Sequence, residues 1–160
     1  MKFLSVIRLI CCPIYFLICC IAYGASANSQ TITIDTPLSF GRFVMVDNTA
    51  PRAINLLPNG GFTADAQYIF FTNPQMGTVI VDDFPSSSTL NVSVGLANLN
   101  NGGGLASFST ASTFTNPATV TTDNTGSATF DVGTTLLSDG GGSTHIDGKY
   151  NGVFTITVTP

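Results

Sequence analysis

The sequence predicts an all-β protein made of two packed antiparallel sheets, and three observations carry that prediction. Residues 28–160 contain no Glu and a single Lys, the usual surface residues of helices, but are rich in Thr, Ser, Asn and Gly. Thr and Val favour strands, whereas Gly, Asn, Asp and Pro favour the turns between them. Apolar residues recur with a period of two, most cleanly in Leu90, Val92 and Val94 and in Phe154, Ile156 and Val158. That period puts one row on a core and the other toward water. Turn signals separate about nine such segments, the pattern of a sandwich rather than of a helical or α/β fold.

Residues 1–27 stand apart. Lys2 and Arg8 precede an apolar run from Leu9 to Ala22, and Ala25-Ser26-Ala27 supplies small residues. Basic start, apolar middle and small-residue exit predict a secretory signal peptide cut between Ala27 and Asn28. The run is too short for a comfortable membrane span, so no stable membrane insertion is expected after cleavage. All four cysteines (Cys11, Cys12, Cys19 and Cys20) leave with this segment, and with them any disulfide or thiolate metal site. What remains is a single β-sandwich domain over 28–160, with three basic residues against nine Asp and so a net charge of −6. Such a surface repels nucleic acid. The expected destination is the periplasm, the outer surface or the medium.

The first strand region runs from Thr31 to Val46. Ile32, Ile34, Leu38 and Phe40 share one parity, interrupted by Pro37, which cannot donate to a ladder and so marks an edge or a break. After Gly41 both parities become apolar, in Phe43 to Val46, which predicts a bulge or a close backbone approach at the glycine. Ala53 to Leu57 reads as a strand closed by the turn Pro58-Asn59-Gly60-Gly61. Tyr68 to Phe71 is continuously apolar, as in a strand buried on both sides or crossing a sandwich rim. Gly77 to Val81 and Leu90 to Val94 follow as strands. Asn98 to Thr115, with Gly102-Gly103-Gly104 near its centre, reads as a long loop with at most a short strand near Ala106 to Ser109. Ala118 to Thr122 and Ala128 to Val132 are strands, Asp139 to Ser143 is a Gly-rich connector, and Tyr150 to Thr159 closes the chain.

No residue set announces a reaction, and the chain is read as a non-enzyme without a cofactor. His145 is the one histidine, but no Gly-x-Ser-x-Gly elbow accompanies it, so it reads as a solvated loop residue rather than a general base. Asp139, His145 and Asp147 match no metal-loop pattern. The triple glycines open no helix and carry no Lys, so they read as connectors rather than a phosphate cradle. Most aromatics are Phe at strand parity and read as core.

Three stretches resemble a known family: Leu38-Ser39-Phe40-Gly41, Ala128-Thr129-Phe130-Asp131-Val132-Gly133 and Tyr150-Asn151-Gly152-Val153-Phe154-Thr155-Ile156-Thr157-Val158. In this order and spacing they resemble the bacterial secreted proteins of domain-of-unknown-function family 4402 from about Ile32 to Val158. More distantly they are similar to spore-coat-U-like and fimbrial subunits of Gram-negative bacteria. The resemblance implies an immunoglobulin-like β-sandwich at or beyond the outer membrane, and it implies no catalytic residue. The expected function is therefore a structural or adhesin-like surface protein, as in a fimbrial subunit. Ile32, Ile34, Leu38 and Phe40 form the candidate intersubunit strand, because an alternating apolar segment can complete a neighbour's sheet. Further copies of the chain or a periplasmic chaperone are the expected partners. A glycan-binding module using the loops at one sandwich end is the alternative.

Overall fold

The computed structural model describes residues 29–101, 107–142, 145 and 147–160. The leader, its cleavage point at Ala27 and Asn28, and Gly102 to Gly104 lie outside the described residues. Twelve strands are assigned: β1 (Thr31–Thr36), β2 (Arg42–Met45), β3 (Ala53–Leu56), β4 (Phe62–Ala64), β5 (Tyr68–Thr72), β6 (Gly77–Asp82), β7 (Thr89–Val94), β8 (Asn98–Leu99), β9 (Phe108–Asn116), β10 (Val120–Thr121), β11 (Ala128–Ser138) and β12 (Ile156–Thr159). Every pairing between them is antiparallel. The all-β expectation holds, with more strands than the nine expected. The excess includes β4 and β8, elements of three and two residues, too short to show a period.

β11 is the spine. It pairs with β6 through Ala128–Val132, with β3 through Thr135–Leu137, and with β9 along its other edge from Asp131 to Ser138. Phe130, Val132, Thr134, Leu136 and Ser138 all lie on one face and are all buried. That face feeds two apolar clusters. In the first, Phe130 and Val132 meet Val79 and Val81 of β6, Leu90 of β7 and Val120 of β10, with Ile156 and Val158 of β12 half-buried against them. In the second, Leu136 meets Ile54 and Leu56 of β3, Tyr68 of β5 and Phe108 of β9. Leu38 packs against both.

The expected long loop from Asn98 to Thr115 is corrected. Phe108–Asn116 is a nine-residue strand paired with β11 on one edge and with β8 on the other. Its Ser and Thr hide an apolar period, yet Thr is a good strand former. Phe114 lies opposite Gly133, and a Cβ at Gly133 would stand 2.2 Å from its ring, so the glycine exists to let the aromatic lie across the strand. Near a register shift in this pair, the buried Thr134 hydroxyl donates to the Ser112 carbonyl at 2.5 Å, so this core hydroxyl is satisfied.

β8 and β7 run back along β9 and β10 as one bent ribbon, from Leu99 opposite Phe108 to Thr89 opposite Thr121. The bend carries β10, β7 and β12 over β6 and β11, which is how the first cluster is closed. Two further expectations change. β11 continues through Gly133 to Ser138 instead of stopping near Val132, because both its edges stay paired. The closing strand spans only Ile156–Thr159 opposite β7; upstream, Asn151 makes a single bridge to Asn100 and Val153 is exposed.

Candidate intersubunit surface

β1 is the end strand of its sheet. It pairs with β6 from Thr31 opposite Asp82 to Ile34 opposite Val79, and Asp35 is then the extra residue of a β-bulge before Thr36 meets Thr78. The main chain is engaged, but no β1 side chain is buried. Ile32 and Ile34 lie across from Val81 and Val79, two of the most buried residues, yet they are 43% and 61% exposed. The first cluster is already sealed by β7, β10 and β12, so β1 sits beside a finished core.

The four residues of the candidate strand therefore separate. Ile32 and Ile34 remain on an exposed edge. Leu38 and Phe40 belong to the interior, Leu38 bridging the two clusters and Phe40 buried in the second. Between β1 and β2 the chain crosses into that second cluster, held by the paired backbone bonds of Ser39 with Gln75. Gly41 makes the expected close approach: its φ is +76° and a Cβ would fall 2.2 Å from the Thr72 carbonyl oxygen. Only glycine fits there.

Sequence reasoning missed a second exposed surface. β2 and β5 form a separate two-stranded ribbon. Its inner face carries Phe43, Met45, Tyr68 and Phe70 into the second cluster, with the Phe43 ring edge-on to Tyr68 at 5.1 Å. Its outer face shows Val44, Val46, Ile69 and Phe71, each about half exposed or more. Tyr68 to Phe71 is thus not buried on both sides, and the reading of the aromatics as core fails at Phe71, which is 63% exposed. Phe71 is the extra residue of a second bulge, and the Arg42 guanidinium lies over its ring at 5.4 Å, a cation–π arrangement. The available signal was the double apolar parity of Phe43 to Val46.

Of the residues considered for chemistry, His145 and Asp139 are otherwise employed. The His145 ring packs on Phe108 at a centroid distance of 4.4 Å, so it is a half-buried packing residue, not the solvated loop histidine expected. Its Nδ1 lies 3.4 Å from Asn48 Nδ2. That same amide donates to Asp139 at 2.6 Å, and this bond holds the Asp139 carboxyl below its ordinary range. Asp123 is a turn former: its carboxylate accepts from the Thr125 hydroxyl and from the Thr125 and Ser127 backbone amides, which lower its pKa. Asp47 pairs with Arg52 at 2.6 Å, and that bond lowers the Asp47 pKa. Among the described residues no group of three His, Cys, Asp or Glu could hold a metal ion.

The geometry defines an all-β antiparallel protein whose distinctive features are a bare strand edge and an apolar outer face. A family model described as a domain of unknown function (DUF4402) matches residues 31–159, and the chain belongs to that family. No curated protein and no solved structure matches it.

Proposed function

We propose that this chain is a secreted, non-enzymatic structural or adhesin-like protein of the bacterial surface, of the fimbrial-subunit kind, in which β1 makes contact between copies. One observation carries the reading: β1 is attached to its sheet by main-chain pairing while every side chain but Thr36 is exposed. A strand that stabilises its own core so little, yet keeps two Ile in water, is shaped for a partner. The packing of β7, β10 and β12 over β6 and β11 supports an immunoglobulin-like sandwich as the scaffold. The leader-like first 27 residues support secretion.

The test compares two exported chains, residues 28–160 and 37–160, by size-exclusion chromatography, negative-stain microscopy and circular dichroism. The expected result is concentration-dependent multimers for the longer chain and a folded monomer for the shorter one. A longer chain that stays monomeric, or a shorter one that unfolds, would assign β1 to the stability of its own domain and end the subunit reading.

A further inference from the structure

Six of the eight large hydrophobics exposed among the described residues fall into two patches: Ile32 and Ile34 on β1, and Val44, Val46, Ile69 and Phe71 on the β2–β5 ribbon. We propose that these patches are the two halves of one head-to-tail contact, in which Ile32 and Ile34 of one copy seat on Val44, Ile69 and Phe71 of the next, with Asp35 meeting Arg42. The inference rests on the reading of β1 as an intersubunit strand and names its acceptor.

Charge selects the occupant. Arg42 is the one charged residue of the ribbon patch and one of only three basic residues in 28–160. Arg52, another of the three, is spent on Asp47, whereas Arg42 lies over the Phe71 ring at the border of the apolar surface. The complementary surface needs a short apolar row with an acid beside it. β1 supplies that combination in Ile32 and Ile34 followed by the exposed bulge residue Asp35. The ribbon patch carries no acid of its own, so a two-fold meeting of two ribbons would leave Arg42 without an opposite charge, which disfavours such a contact through this face.

Placement gives the contact its polarity. β1 flanks the half of the molecule built on Val79, Val81 and Phe130. The ribbon covers the half built on Ile54, Leu56 and Leu136. Two different patches on two different halves make a heterologous contact, which propagates into rings or filaments instead of closing as a dimer. β1 need not leave its own sheet for this. Moving it onto a neighbour's β6 would recreate the same pairing and still leave Ile32 and Ile34 uncovered.

Sedimentation velocity on the full chain, purified after export, tests the proposal with three variants. Asp35→Arg and Arg42→Asp each put like charges across the contact and should weaken association about tenfold or more in Kd. An equimolar mixture of the two should recover the wild-type distribution, because each variant's altered patch faces its complement on the other. In the third, Thr33→Cys with Ile80→Cys joins facing positions of β1 and β6 by a disulfide that locks β1 at home. The locked protein should associate like wild type. A locked protein that turns monomeric would replace docking by strand exchange and overturn the proposal. So would single charge variants that associate normally, or a mixture that fails to recover. If removal of residues 28–36 abolishes association while Arg42→Asp does not, the acceptor is wrong and the subunit function stands. A wild-type chain that is monomeric at every concentration sinks both.

Discussion

At Tyr68 a single hydroxyl joins packing to proton chemistry. The ring is buried against Phe43, and its hydroxyl donates to the Arg52 carbonyl at 3.2 Å. Burial pushes its pKa from 10.0 up to about 12, because the phenolate would lose its hydration. Below pH 10 the hydroxyl is protonated in folded and unfolded chains alike, and its contribution is fully present. As pH rises from 10 toward 12 the unfolded chain ionises first, so stability is lost across that window. Urea unfolding at stepped alkaline pH should show this decline in wild type. Tyr68→Phe should show a shallower one, at a cost of about 1 kcal/mol near neutrality from the lost hydrogen bond. An unchanged alkaline slope in the variant would assign the decline to other groups. The Arg52 carbonyl keeps a second donor in the Ser138 amide, which is why the neutral cost stays small.

Among elements, the proposed contact divides stability, carried by β11, from association, carried by β1. Phe130 is 1% exposed at the centre of the first cluster, and Phe130→Ala should cost about 3–5 kcal/mol. Ile34→Thr changes an exposed position in a strand with no buried side chain, so its effect on unfolding should stay within about 0.5 kcal/mol while association weakens. Equilibrium unfolding and sedimentation of the same two variants separate the roles. A large stability loss in Ile34→Thr would mean that β1 supports the core after all. Some of the elements behind this division were legible in the sequence. The alternation of Leu90, Val92 and Val94 and the break at Pro37 and Gly41 located β7 and the transition from β1 to β2. What was not legible has physical causes. β9 places only Ser, Thr and Ala between Phe108 and Phe114 and is held mainly by backbone pairing with β11, so no apolar period marks it. The candidate strand merged exposed Ile32 and Ile34 with half-buried Leu38 and buried Phe40, because parity survives the crossing between clusters that changes their burial. The ribbon escaped notice because an apolar outer face looks, in sequence, like a second buried one.

Over the whole molecule, one buried face of β11 serves two cores, and each core leaves one apolar surface uncovered at its periphery. In the proposed contact the Asp35–Arg42 pair would make another copy of the chain the complementary partner. High salt should weaken such a contact only modestly, since most of it is apolar. The most direct measurement is a methyl NMR dilution series on the exported chain, labelled at Ile and Val. The account predicts that Ile32, Ile34, Val44 and Ile69 shift or broaden together along one concentration isotherm, while the fully buried Ile54 stays fixed. Invariance of all four signals, or movement of the β1 methyls without those of the ribbon, would contradict it.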